Sequence, residues 1–94
     1  MIIAVNSALA TDYEYEHKLE ILRNEKNAKV KVIDLKIKNV TQNIEQTIAN
    51  NKLSESEKDK KLAVYQKDLE TLNNQKSDIN RQYRIDKKKL KSKK

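Results

Sequence analysis

Residues 50–57 read Asn50-Asn51-Lys52-Leu53-Ser54-Glu55-Ser56-Glu57, and they interrupt a chain whose two flanks are both periodic at helical spacing. Adjacent asparagines tolerate the left-handed backbone conformation that closes a helix where glycine is absent. A helix is therefore expected to stop at this pair. Ser54 followed three residues later by Glu57 is a capping box, in which the serine hydroxyl accepts a backbone N–H of the new first turn. A stop followed at once by a start predicts two helices joined by a tight turn. The expected bounds are about 8–50 for helix 1, 51–54 for the turn and about 55–92 for helix 2. At 1.5 Å per residue each helix is roughly 60 Å long.

The flanks say how the helices pair. In helix 2, Leu62, Tyr65, Leu69, Leu72, Lys76, Ile79, Tyr83, Asp86 and Leu90 alternate spacings of three and four, the seam of a coiled coil. In helix 1, Val30, Ile33, Ile37, Val40, Ile44 and Thr47 obey the same rule, and running it backward reaches Lys26, Arg23, Leu19 and Glu16. Folding the chain about residues 54 and 55 pairs positions whose numbers sum to 109. The expected layers are Thr47–Leu62, Ile44–Tyr65, Val40–Leu69, Ile37–Leu72, Ile33–Lys76 and Val30–Ile79. Beyond them come Lys26–Tyr83, Arg23–Asp86, Leu19–Leu90 and Glu16–Lys93. This register matches the misfit Arg23 with the misfit Asp86, and it turns the chain where the capping signals place the turn. A shift of one heptad would set Lys26 against Lys76. The sequence thus predicts an all-α fold, an antiparallel two-helix coiled-coil hairpin, with residues 11–92 as its single domain.

Composition excludes much else. The 94 residues include no Gly, Pro, Cys, Trp or Phe, and 37% are charged. Hairpin turns and glycine-rich phosphate cradles lack their usual residues, and disulfide frameworks and cysteine-ligated zinc sites are ruled out outright. The formal net charge of +7 is uneven. Residues 86–94 carry six lysines and one aspartate, +5, whereas residues 1–85 carry 15 basic and 13 acidic residues, +2. Acidic Asp12, Glu14, Glu16 and Glu20 should lie near this Lys-rich tail, with Glu20 level with Lys89. Residues 1–10 read as a flexible uncharged leader or a frayed helix start. Ala8-Leu9-Ala10 resembles a signal-peptidase site, but the basic n-region and an unbroken apolar run are missing. No stretch reaches the ~18–20 apolar residues of a membrane span. The expected location is cytoplasmic, or exported without a cleaved signal peptide.

Catalytic and metal chemistry find little support. His17 is the only histidine. With Glu14 it forms Glu-x-x-His, a di-iron bundle motif that here has no second copy in the chain. A solvated helix face is the simpler reading. No Ser–His–Asp set assembles from one histidine near the chain start and exposed serines, and a two-helix hairpin encloses no water-free cleft. The expectation is no catalytic residue, no metal ligand, no cofactor and no enzyme. Asn39-Val40-Thr41 fits a glycosylation sequon, yet Val40 belongs to the seam.

Binding remains. Ile21, Ala28 and Leu35 recur every seven residues with Val32 beside them, off the seam, and Val64 and Ile85 are off-seam on helix 2. Ile21, Ala28, Val32 and Leu35 are the expected partner-binding residues, through which the hairpin associates with itself as a homodimer, or with another helix, into a larger bundle. The competing reading is a nucleic-acid-binding helical module using Lys87, Lys88, Lys89, Lys91, Lys93 and Lys94, since polybasic runs give salt-sensitive contact with phosphates. Lysines outnumber arginines 18 to 3, and no aromatic interleaves the tail for base stacking.

The segment DLKIKNVTQNIEQTIANN, the turn LSESEKDKK and the helix YQKDLETLNNQKSDINRQ, together about residues 34–82, resemble the FlxA-like family of small bacterial coiled-coil proteins associated with flagellar gene sets. The resemblance implies a non-enzymatic accessory role connected to motility or type III export, and assigns no functional residues. The hairpin is also similar in architecture to coiled-coil stalk and chaperone components of type III secretion systems.

Overall fold

The structure is a computed structural model that describes residues 2–92, with side-chain surroundings from Tyr13 to Ser92. It contains two helices, α1 over Ile2–Ala49 and α2 over Glu55–Ser92, and the chain is an all-α helical hairpin. The second helix has the expected bounds. The first begins at Ile2 rather than near residue 8, so the uncharged opening residues are helical. Ile, Ala, Val and Leu dominate that stretch, and no glycine or proline is present to break it.

The turn is built differently from the expectation at one point. No described residue has a positive φ, so the asparagine pair does not close α1 through a left-handed residue. Asn50 acts through its side chain instead: its Oδ1 accepts the Lys52 N–H at 2.9 Å, and its carbonyl accepts the Leu53 N–H at 3.4 Å. This is an Asx turn, in which a short side chain stands in for a backbone carbonyl. The last turn of α1 tightens, with the Asn50 N–H donating to the Thr47 carbonyl at 3.3 Å. Lys58 of α2 donates its Nζ to the Ile48 carbonyl at 3.0 Å, satisfying an acceptor that every helix end otherwise leaves to water. Ser54 caps α2 as expected, its Oγ accepting the Glu57 N–H at 3.2 Å.

Contacts divide the chain into two compact units. The turn unit spans Val30–Asp78. Its seam consists of Val30, Ile33, Ile37, Val40, Ile44 and Thr47 from α1 and Leu62, Tyr65, Leu69, Leu72 and Lys76 from α2, all buried or half-buried. Ile33 is the buried apolar side chain among the described residues, at 7% exposure, and Thr47 is the buried polar one, at 6%. A hydroxyl is tolerated there because Thr47 Oγ1 donates to the Asn43 carbonyl of its own helix at 2.7 Å. Lys76 lies in the seam but sends its Nζ to Asp34 Oδ1 at 2.7 Å. The neighbour of Ile33 thus receives the charge while the lysine stem stays in the layer.

The end unit comprises Met1–Lys29 with Ile79–Lys94. Its half-buried residues are Tyr15, Leu19, Leu22 and Lys26 on α1, and Ile79, Asn80, Tyr83, Asp86 and Leu90 on α2. Lys26 Nζ sits 5.1 Å from the centroid of the Tyr83 ring, the layer in which the numbers sum to 109. The expected Arg23–Asp86 layer fails, and Glu16 is not at the inward position assigned to it. Arg23 and Glu16 are exposed, and Leu22 and Tyr15 take the inward positions. On α1 the half-buried positions run 19, 22, 26, 30, with two successive spacings of four where a heptad allows one. This is a stutter, the insertion that absorbs the drift of a 3.6-residue helix against a 3.5-residue repeat. Asp86 is not paired with Arg23; its Oδ1 accepts from Gln82 Nε2 of the same helix at 2.9 Å. No ion pair joins Glu20 to Lys89. The Glu16–Lys93 pairing involves a residue outside those described.

Candidate interaction surfaces

Three kinds of surface follow from this frame: exposed apolar side chains, grooves between the helices, and the basic end of α2. In the turn unit, Val32 and Leu35 flank the seam residue Ile33 on α1 yet point away from α2, at 52% and 54% exposure. Ile48 and Val64 are more exposed still, at 57% and 60%. Val64 was marked by its off-seam position. Ile48 was not, because it directly follows a seam residue; its signal is that one helical step, about 100°, already turns a side chain off the contact line. In the end unit Ile21 is 43% exposed and Ala28 is also exposed. Each of the four expected partner-binding residues therefore faces solvent within its own unit.

Each unit has an open groove lined by both of its helices. In the end unit a groove of about 370 Å³ is floored by Ile21, Leu22 and Leu90 and rimmed by Lys18, Glu25, Asp86 and Lys89. In the turn unit Val40 and Leu72 floor a groove of about 360 Å³, with Lys36, Asn39, Asp68 and Thr71 around it. Both are apolar at the base and charged at the rim. Such grooves suit a side chain of a packing helix better than a buried small molecule, since neither is enclosed.

His17 stacks on Tyr13, with ring centroids 6.2 Å apart and planes within 3°. Both rings are exposed, and they stand four positions apart, the spacing that superposes side chains on a helix. Among the described residues no group of three or more His, Asp or Glu side chains could hold a metal ion, and no helix is long and apolar enough to cross a membrane.

The described lysines of the expected tail lie on the last turns of α2. α2 continues through Ser92, whose Oγ donates to the Lys89 carbonyl at 2.8 Å. Lys87, Lys88, Lys89 and Lys91 are exposed on it, and Lys93 and Lys94 lie outside the described residues. Cations at this end also complement the negative pole of the helix dipole. Arg81 and Arg84 are exposed on the same helix. Their signal is spacing: 81, 84, 88 and 91 follow one another by three, four and three.

No family model matches this chain, and neither does any curated protein or solved structure.

Proposed function

We propose that this chain is a non-enzymatic coiled-coil interaction protein whose outer α1 face docks a second copy of itself. The observation that carries the reading is the contrast between Ile33, 7% exposed, and its neighbours Val32 and Leu35, each more than half exposed. A helix that is apolar on one stripe needs one partner, and a helix with a second apolar stripe has surface left for another. A second copy is favoured by charge. The turn unit holds nine basic and eight acidic residues, a net +1, whereas the end unit holds twelve and six, a net +6. Two turn units meet without the repulsion that two end units would suffer. Ile21 and Ala28, the other two expected partner-binding residues, are exposed on the end unit.

Sedimentation velocity of the full chain over micromolar concentrations tests this directly. A dimer is expected, and Val32→Glu with Leu35→Glu should convert it to monomer with helicity retained by circular dichroism. A wild-type chain that is a fully helical monomer, or a double variant that still dimerises, overturns the reading.

The resemblance of residues 34–82 to FlxA-like proteins supports an accessory or chaperone-like and stalk-like role of this interaction protein in bacterial flagellar or type III export. Deletion of the gene in its host should reduce swimming or the secreted-protein yield. Unchanged motility together with unchanged secretion removes that placement.

A further inference from the structure

We propose that Arg81, Arg84, Lys88 and Lys91 form a binding stripe for the phosphate backbone of duplex nucleic acid, read without regard to base sequence. Spacings of three, four and three set these side chains one above another on a single helix face. They span ten residues, about 15 Å along the axis at 1.5 Å per residue. All four are exposed. Arg81, Arg84 and Lys88 each stand two residues from a half-buried position, Ile79 or Asp86, which is about 200° round the helix. The stripe therefore faces away from α1. Asp86 is the only acidic residue between 79 and 92, and it is half-buried with its carboxylate engaged by Gln82. Between Arg84 and Lys91 no other negative side chain enters the stripe; Asp78 precedes Arg81 by one turn, and both of these make polar contacts of their own.

The chemistry favours a phosphate backbone over a lipid surface. A helix that lies in a bilayer interface presents a broad apolar face beside its cations. Of the apolar residues between 79 and 92 on α2, Ile79, Tyr83 and Leu90 are half-buried and only Ile85 is exposed, at 41%. A duplex demands only positive charge at phosphate spacing, and the two guanidinium groups add forked, bidentate contacts that lysine lacks. With no aromatic on the stripe, stacking on single strands is not provided for. The net +6 of the end unit would steer association. The proposal does not depend on the self-association described above.

The test is fluorescence anisotropy of the full chain with a labelled duplex of arbitrary sequence, about 20 base pairs, across a series of KCl concentrations. Four phosphate contacts predict a log–log salt slope of about −3 to −4. Changing Arg81, Arg84, Lys88 and Lys91 to Gln should weaken binding at least tenfold and flatten the slope, with helicity retained, since Gln is a good helix former. Changing Lys52, Lys60, Lys61 and Lys67 to Gln removes the same charge from exposed sites in the turn unit and should leave most of the affinity. The proposal is overturned if both quadruple variants lose equally, if Lys87→Gln with Lys89→Gln abolishes binding that the stripe variant retains, or if no binding occurs at low salt. Stronger capture by phosphatidylserine vesicles than by the duplex also overturns it.

Discussion

The ammonium of Lys26 lies over the face of Tyr83, 5.1 Å from the ring centroid, joining α1 to α2 in the middle of the end unit. Both residues are half-buried. A heptad seam that places lysine at a core position would ordinarily leave a charge facing apolar surface. The aromatic opposite changes that balance, because the negative face of its π-system attracts the cation. The contact also fixes register, since a shift of one heptad would bring Lys26 against Lys76.

A double-mutant cycle on Lys26→Met and Tyr83→Leu should give a coupling energy of about 0.5–1 kcal/mol, read by urea unfolding at one chain concentration. A coupling indistinguishable from zero would mean that the pair merely share a layer.

The stutter in α1 makes a sharper prediction. Leu22 is half-buried and Arg23 exposed. Leu22→Ala should cost about 1–2 kcal/mol, less than truncation of a fully buried leucine, and Arg23→Ala should stay within about 0.5 kcal/mol. Strict heptad continuation predicts the reverse order, so the same two variants decide between the two seams.

The architecture was legible because its signals were redundant. Capping chemistry at Ser54 and the seam of α2 pointed to the same turn, and every seam position assigned on α2 is half-buried. The stutter escaped because a repeat was extended as arithmetic past Val30, over charged Arg23 and Glu16, when apolar Tyr15, Leu19 and Leu22 already marked the true face at spacings of four and three. The proposed basic stripe is read from a face and not from a run. A run of lysines draws the eye to the chain end, while a helix face gathers residues three and four apart and so enlists Arg81 and Arg84. The apolar residues off the seam were visible in sequence as positions, but a hydrophobic residue off one contact line carries no mark of what covers it.

The turn chemistry separates two ways of ending a helix. Had Asn51 been left-handed, Asn51→Gly would stabilise the hairpin, since glycine adopts that conformation without strain. With no positive φ in the turn, the substitution should instead cost about 0.5–1 kcal/mol through the added freedom of the unfolded chain. Ser54→Ala should cost about 1 kcal/mol by removing the cap on the Glu57 amide. Thermal unfolding of the two variants reads both effects, and a stabilising Asn51→Gly would restore the left-handed model.

Lys76 provides the last test, because it opposes packing to charge. Its Nζ reaches Asp34 at 2.7 Å, but the two side chains are 37% and 51% exposed, and ion pairs so placed contribute about 0–1 kcal/mol. Asp34→Asn should therefore cost less than 1 kcal/mol. Lys76→Leu would place an apolar side chain in the seam of the turn unit, close to the buried Ile33. Burying part of a leucine there should outweigh the lost bridge, for a net gain of about 1 kcal/mol in urea unfolding. A polar core residue also restricts register and oligomer size. The leucine variant should accordingly sediment as a broader distribution of assemblies than the wild-type chain. In its background Asp34→Asn should have no further effect. A Lys76→Leu chain less stable than wild type would show that the ammonium–carboxylate contact contributes more than its exposure implies.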